Sequence, residues 1–243
     1  MIDNIYKYPR LYLNAAFEKS AIISLSSEHA HYLRNVLRKK TGDYLRVFNG
    51  SDGEWLACIE EIGKKSCDIA LDKCLREQGS KKPSLHLYFS PIKKQRMDFL
   101  IEKSVELGVT DLHPVLMERS VMRKINQERI EAQIIEAAEQ CERLDIPKLH
   151  KLGNFHQLLS EYNFDIPLLA CLEREVGASS ISLYAISSDI AFIIGPEGGF
   201  GDNEKESLMT NNNVMLIGLG KEILRAETAA IACLSYAMLS QSV

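Results

Sequence analysis

Three short, unbroken apolar runs in the C-terminal half most constrain the fold of this 243-residue chain. They cover residues 167–172, 190–194 and 214–219. A strand that is apolar along its whole length must be covered on both faces, which is typical of a parallel sheet between helices. Helical periodicity marks 97–107 and 130–141, and an alanine-rich helix is predicted over 224–239. Strands that alternate with helices predict an α/β domain built on a parallel sheet.

The first part of the chain has a different hydrophobic pattern. Its apolar runs are short and separated by polar turns, at 11–13, 21–25, 44–48, 55–62 and 67–75. One helix is predicted over 28–37, with Ser26 or Ser27 as its N-cap. Short strands with a single helix predict a small β-barrel. A polar stretch with Gly, Ser and Pro follows, so we expect a barrel at 1–76, a linker at 77–84 and a second domain at 85–243.

Composition and charge narrow the functional class. No apolar run approaches the roughly 20 residues that a membrane-spanning helix needs. Six cysteines without a CxxC pair predict free thiols in a reducing cytoplasm and no metal site. The net charge of −4 argues against binding nucleic acid by bulk charge, yet residues 1–83 carry 14 Lys+Arg against 11 Asp+Glu. A basic first part suits an RNA-docking domain joined to an enzyme domain.

Glycine-rich segments follow the second and third apolar runs, at the strand ends where parallel sheets bind ligands. They are Gly195-Pro196-Glu197-Gly198-Gly199 and Gly218-Leu219-Gly220, and the second leads into Ile223-Leu224-Arg225-Ala226-Glu227-Thr228. Glycine lets backbone amides approach a ligand closely, and proline stiffens the turn. Neither segment matches the phosphate-binding GxGxxG or P-loop patterns. Each segment alone is at least as compatible with a structural turn as with a binding site.

Together and in this order, the two segments resemble the trefoil-knot (SPOUT) methyltransferases. GPEGGF followed by LGLGKEILRAETAA is most similar to the family that methylates N3 of a uridine in 16S ribosomal RNA. The middle of the chain resembles the same family at Arg96-Met97-Asp98, Glu118-Arg119-Ser120 and 136–141. Residues 31–43 resemble its PUA-like barrel. Lys94-Gln95, Glu142 and Glu222 depart from the family's pattern without touching the paired segments.

The resemblance implies a fold, a cofactor and partners. The fold is α/β, a C-terminal trefoil-knotted parallel-sheet methyltransferase domain behind a small N-terminal PUA-like β-barrel. S-adenosyl-L-methionine is expected to lie bent in the knot, against the backbone of three loops. A homodimer is implied, with 16S rRNA or the small ribosomal subunit as its partner. The residues expected to bind the cofactor are Leu172, Gly195, Pro196, Glu197, Gly198, Gly199, Leu219, Gly220, Ile223, Leu224, Thr228 and Ala229.

Methylation of uracil N3 removes a proton and leaves negative charge to be stabilised. We predict that Arg225 stabilises this anion, because a guanidinium keeps its charge when half-buried and offers forked donors to a carbonyl oxygen. Glu197 and Glu227 are candidates for the base, although each is equally compatible with orienting a loop while water takes the proton.

RNA docking requires basic side chains that contact phosphates, and a target base that is single-stranded or extruded. The residues expected in this role are Arg10, Arg34 and Arg38 on the barrel and Lys93, Arg96 and Arg119 on the enzyme domain. Two alternatives stay open. One keeps the fold but methylates ribose 2′-OH groups of rRNA or tRNA, and the other is a non-catalytic ribosome-assembly factor that binds RNA.

Overall fold

The computed structural model describes residues 5–80, 82–172, 179–181 and 188–241. The chain divides into two compact units, Met1–Lys81 with Ala138–Ile146, and Lys82–Ala137 with Pro147–Val243. This division differs from the predicted domain boundaries chiefly at Ala138–Ile146, which belongs to the first unit. Helical periodicity marks where a helix lies in the sequence but not what its end packs against, so sequence alone placed this segment in the second domain. Among the described residues, no helix is both long and apolar enough to cross a membrane.

The first unit is built on a five-stranded sheet. Its strands are β1 (Arg10–Tyr12), β2 (Ile22–Leu25), β3 (Tyr44–Phe48), β4 (Glu54–Ile62) and β5 (Cys67–Arg76), in the order β1-β3-β4-β5-β2. All neighbours pair antiparallel except β1 and β3. A 3-10 turn at Ile5–Lys7 precedes the sheet. Alternate residues of the strands, such as Leu45, Ile59 and Ile69, meet in one apolar core.

One short helix packs against this core. It is α1 (Ser27–His31), and it continues directly into a π-helical turn at Tyr32–Val36. Ser26 is the N-cap, because its hydroxyl accepts a hydrogen bond of 3.2 Å from the His29 N–H. Ala30 and Leu33 are fully buried, which anchors the segment on the sheet. The helix predicted over 28–37 is therefore confirmed, with a change of helical pitch in its second half.

Glu54 lies at the centre of a buried charge cluster in the same unit. Its carboxylate is 1% exposed and meets Arg10 Nε at 2.5 Å, Arg76 Nε at 2.9 Å and Arg46 Nη1 at 3.6 Å. Arg46 also pairs with Glu142 at 2.8 Å, within the segment Ala138–Ile146. Arg10 donates further to the carbonyls of Ala138 and Arg143, so this cluster ties that segment to the sheet.

The second unit is built on a parallel sheet. Its strands are β6 (Leu85–Phe89), β7 (Asp111–Leu116), β8 (Lys148–Leu149), β9 (Gly153–Asn154), β10 (Leu168–Cys171), β11 (Ser179–Ser180), β12 (Ile190–Ile194) and β13 (Val214–Gly218). The order is β11-β13-β10-β12-β6-β7-β8, with β9 also paired to β7. Every described pairing is parallel. All five residues of β12 are buried, as expected for a strand covered on both faces.

Five helices accompany this sheet in the described part of the chain. They are α2 (Lys94–Glu106), α3 (Gln127–Gln140), α4 (Phe155–Glu161), α5 (Asp202–Thr210) and α6 (Ala226–Gln241), and α3 falls in the first unit from Ala138 onward. The structure begins α6 two residues later than predicted. The Arg225 carbonyl accepts the Ala229 N–H at 2.8 Å, so Arg225 occupies the cap position outside the helix.

Candidate functional site

Three strand ends meet at one edge of the parallel sheet. β10 lies between β12 and β13, and its last residue, Cys171, is level with Ile194 on one side and Ile217 on the other. The segments that follow these strands therefore leave the sheet side by side. They enclose a cavity of about 410 Å³. This is the edge where open parallel sheets bind their ligands.

Ten of the twelve residues expected to hold the cofactor line this cavity. They are Leu172, Gly195, Pro196, Glu197, Gly199, Leu219, Gly220, Ile223, Leu224 and Ala229. Gly198 and Thr228 are not among the described lining residues. Gly198 instead faces Arg119, whose Cβ would lie 3.3 Å from a Cβ added there, and Thr228 is exposed. The paired motifs therefore meet, but two of their members face away from the cavity.

Glycine is favoured at Gly195 because the chain passes close to an aromatic ring. A Cβ at this position would lie 3.0 Å from Phe200 Cδ2 and 3.3 Å from the Phe200 backbone nitrogen. The turn closes where the Gly199 N–H donates to the Pro196 carbonyl at 2.8 Å, with Gly199 at a φ of +69°. The buried ring thus supports the floor of the loop, and the small residue keeps that floor open.

Glu204 stabilises the end of the glycine-rich loop through hydrogen bonds to the backbone. Its side chain is almost fully buried and accepts the Gly201 N–H at 2.8 Å and the Glu118 N–H at 2.7 Å. One carboxylate therefore fixes the start of α5 and the turn after β7 at the same time. Sequence reasoning missed this residue. The signal was present, because an acidic side chain three residues after a helix N-cap is typical of a capping box.

Arg96 connects the two candidate acids in the wall of the cavity. Arg96 Nη1 lies 3.1 Å from Glu197 Oε1, and Arg96 Nε lies 3.7 Å from Glu227 Oε1. Glu227 is buried, and within the described residues its Oε2 has no hydrogen-bond partner. Arg225 also lines the cavity, and its side chain is exposed. The site therefore combines two carboxylates held by one arginine with a second, solvent-accessible guanidinium.

Two of the basic residues predicted to contact RNA, Arg10 and Arg96, form ion pairs within the protein. Arg10 is buried, and its donors go to Glu54 and backbone carbonyls; burial lowers the pKa of its guanidinium. This position is incompatible with a phosphate contact, so the prediction for Arg10 is corrected. Arg96 lines the cavity, and its side chain is partly exposed, so its contact with RNA stays a prediction. Arg34, Arg38 and Lys93 are exposed as expected.

Arg119 is exposed but already engaged. It donates to the Gly198 carbonyl at 3.3 Å and pairs with Asp202 at 3.1 Å. These contacts brace the glycine-rich loop on its outer side. Arg119 therefore supports the cavity and still presents part of its charge to solvent.

Comparison with known proteins places this geometry in a family. Residues 80–238 match the RNA methyltransferase domain and residues 25–72 the RNA methyltransferase PUA domain. The ribosomal RNA small subunit methyltransferase E of Rickettsia conorii is 39% identical over 233 residues, 94% of each chain. The same enzyme of Bacillus subtilis is 29% identical over 90% of each chain.

This chain belongs to the ribosomal RNA small subunit methyltransferase E family. Two solved structures share its fold. A putative methyltransferase from Legionella pneumophila in complex with the cofactor SAM has a TM-score of 0.86 at 31% identity, covering 96% of this chain and 98% of that one. The small subunit methyltransferase E of Neisseria gonorrhoeae bound to S-adenosyl methionine has a TM-score of 0.85 at 27% identity, covering 96% and 97%. These matches confirm the predicted fold class, a SPOUT-type parallel-sheet methyltransferase domain with a PUA-like barrel, and the chain is an enzyme of this family.

Proposed function

We propose that this enzyme uses S-adenosyl-L-methionine to methylate N3 of a uridine in small-subunit (16S) ribosomal RNA. The observation that carries the proposal is the cavity itself. Ten residues expected from the family motifs converge on one cavity at the carboxyl ends of three adjacent strands. Relatives named as small-subunit rRNA methyltransferases match nearly the whole chain, and two structures of the same fold contain the cofactor.

The residues of the cavity fit the cofactor chemically. A volume of about 410 Å³ lies in the usual range for small-molecule sites. Leu172, Leu219 and Ala229 offer an apolar wall for the adenine ring. Glu197 offers a carboxylate for an amine or for ribose hydroxyls, while the glycine-rich turns bring backbone amides close. When bound, the cofactor supplies an electrophilic methyl group on a sulfonium.

The side chains around the cavity divide into two roles. Arg225 is placed to stabilise the uracil anion, because it lines the cavity and remains accessible to a base that enters from solvent. Glu197 and Glu227 are both paired with Arg96, which favours an orienting role for each over that of a free base. Water then takes the N3 proton. Positioning of the target uracil against the methyl group supplies the remainder of the rate enhancement.

RNA binding is assigned to exposed basic residues on each unit separately. Arg34 and Arg38 lie at and after the π-helical turn of the barrel, and Lys93 and Arg119 lie on the methyltransferase unit. A phosphate contact from such residues positions the RNA without reading its sequence. Arg10 no longer belongs to this set because it is buried, whereas Arg96 stays in it at the partly exposed wall of the cavity.

Two further properties belong to the same proposal. We place the enzyme in the cytoplasm, where small-subunit rRNA is found. We also propose a homodimer, because large apolar side chains on α2 and α6 are exposed, namely Phe99, Met238 and Leu239. The two helices contact each other, so these side chains lie on neighbouring elements that a second copy of the chain can cover.

The decisive experiment compares RNA from cells with and without the gene for this protein. The RNA is hydrolysed to nucleosides and analysed by mass spectrometry, and we expect loss of N3-methyluridine from small-subunit rRNA. Complementation with the wild-type gene should restore it. Loss of a ribose-methylated nucleoside instead would support 2′-O-methylation. An unchanged nucleoside profile would support the non-catalytic assembly factor.

The cofactor site is tested by Gly195→Ala. The added Cβ would lie 3.0 Å from the Phe200 ring and 3.3 Å from backbone, so the loop or the ring beneath it has to shift. Overpacking typically costs 1–3 kcal/mol, and we expect the calorimetric Kd for S-adenosylmethionine to rise by about tenfold or more. Gly79→Ala is the matched control, since no described heavy atom lies within 4 Å of the Cβ it adds. Equal cofactor affinity in Gly195→Ala and Gly79→Ala would contradict the assignment.

A further inference from the structure

A cluster of histidines lies at the other end of the parallel sheet. His86 and Asp111 are at the amino ends of β6 and β7, and they are level with each other. His86 Nδ1 lies 3.0 Å from His113 Nε2 and 3.9 Å from Asp111 Oδ2. The proposed cofactor cavity lies at the carboxyl ends of the strands, so this cluster has no part in the methylation site.

We propose that His86, Asp111 and His113 form a binding site for a divalent transition metal, with Zn²⁺ as the best match. Each residue offers one ligand atom, and these atoms lie within 4.8 Å of one another. Tetrahedral Zn²⁺ with ligands at about 2.0–2.2 Å requires ligand atoms about 3.4 Å apart. The His86–His113 and His86–Asp111 distances of 3.0 Å and 3.9 Å lie on either side of this value. The His113–Asp111 pair lies within 4.8 Å, so side-chain adjustments of about 1 Å bring all three ligand atoms to it.

Surrounding groups already orient these ligands. Asp111 Oδ1 accepts a hydrogen bond from His150 Nε2 at 2.7 Å, and its Oδ2 accepts one from Thr110 Oγ1 at 2.9 Å. The His113 ring is stacked between His150, with centroids 3.8 Å apart, and Tyr88, at 4.1 Å. Metal sites in proteins depend on such outer partners to fix ligand geometry. Two of the three ligands are therefore held by their neighbours before any ion binds.

The ligand atoms also decide which class of ion fits. In the 3.0 Å hydrogen bond between His86 Nδ1 and His113 Nε2, one of the two nitrogens carries the proton. An ion that binds both nitrogens therefore requires that proton to move to the other nitrogen of the same ring. Imidazole ligands favour Zn²⁺ over Mg²⁺ and Ca²⁺, which prefer oxygen.

An opening reaches the cluster from outside. A second cavity of about 260 Å³ is lined by His86 and His113 together with Tyr88, Leu158, Tyr162 and Ile166. It provides an access path and room for a water molecule as an additional ligand. The spacing of 86, 111 and 113 in sequence matches no metal motif, because the three ligands come from two strands that only the sheet brings together.

Calorimetric titration of the chelator-treated, full-length protein with ZnCl₂ tests the site. We expect one Zn²⁺ per chain with a micromolar or lower Kd, and no binding of MgCl₂. His86→Ala should raise the Kd for Zn²⁺ at least about tenfold, by analogy with the loss of a metal's outer partner. His156→Ala is the matched control, because His156 is exposed and does not belong to the cluster. Absence of Zn²⁺ binding, or equal affinity in His86→Ala and His156→Ala, would overturn the proposal.

Two further measurements test whether the histidines, and not the cysteines, bind the metal. Co²⁺ replaces Zn²⁺ in the wild-type protein, and its absorption spectrum should lack a sulfur-to-cobalt charge-transfer band. Such a band would assign the metal to cysteines and refute the histidine site. Thermal unfolding gives the second readout, because an ion that binds only the folded state raises Tm. At one ZnCl₂ concentration, the Tm of the wild type and of His156→Ala should rise by the same amount and that of His86→Ala by clearly less, and an equal rise in all three would also refute the site.

Discussion

Arg225→Ala is expected to lower kcat for methylation by about 10²–10³-fold, the usual cost of removing one donor that stabilises developing negative charge. Binding of S-adenosylmethionine should be nearly unchanged. Arg225 lies at the cap position of α6, outside the helix, and its exposed side chain lines the cavity. Loss of the guanidinium therefore removes charge stabilisation in the transition state rather than a cofactor contact.

The measurement is single-turnover methylation of small-subunit rRNA, with cofactor affinity determined separately by calorimetry. Arg225→Lys keeps the charge but loses the forked donors, so an intermediate rate is expected. Lys221→Ala removes a nearby exposed positive charge that is not among the described lining residues, and it serves as the control for general loss of RNA attraction. If Arg225→Ala methylates at the wild-type rate, or if Lys221→Ala is equally impaired, the assigned role of Arg225 is wrong.

Glu54→Gln is expected to lower the free energy of unfolding of the first unit by about 3–5 kcal/mol, the cost of breaking a buried ion pair from one side. The Glu54 carboxylate is 1% exposed and faces three arginines, of which Arg10 and Arg46 are themselves buried. Arg46 keeps a second partner in Glu142, but Arg10 retains no carboxylate among its described hydrogen bonds. The Arg10 guanidinium is then a buried cation without a carboxylate, and its carbon atom Cζ lies 3.6 Å from the centroid of the Phe48 ring.

Denaturant unfolding followed by tryptophan fluorescence measures this loss. Trp55 is the one tryptophan of the chain and follows Glu54 directly in β4, so its emission reports on this unit. Glu61→Gln makes the same chemical change at an exposed position of the same strand, and a change within about 0.5 kcal/mol is expected there. Equal stability of the two variants would show that the arginines do not depend on the buried carboxylate.

Much of the fold was predictable because its signals are local. The unbroken apolar runs at 190–194 and 214–219 are typical of strands in a parallel sheet; the first is buried along its whole length, and the second is buried only at Val214 and Ile217. The helices α4 and α5 were not predicted. α4 is only seven residues long, and α5 buries few side chains beside Glu204 and Leu208, so neither carries a clear apolar period.

The site residues also divide into those that the sequence predicts and those whose role depends on tertiary contacts. The glycine-rich segments were recognisable because glycine at a close backbone approach leaves a mark in the sequence, and ten of the twelve residues expected there line one cavity. The roles of Arg10 and Arg96 were not recognisable. An arginine has the same letter whether it contacts phosphate, neutralises a buried carboxylate or bridges two acids, and its burial and partners depend on residues up to 133 positions away.

Local patterns thus specified most strands and helices, the order of the two domains and two of the segments that line the cavity, whereas the two-residue strands β8, β9 and β11 were not predicted. Packing determined the rest. The return of Ala138–Ile146 to the first unit, the clamp made by Glu204, the pairing of Arg96 with both candidate acids and the histidine cluster at the amino ends of β6 and β7 all depend on contacts between distant segments. The free energy of such contacts arises from burial, charge and geometry that exist only once the chain has folded.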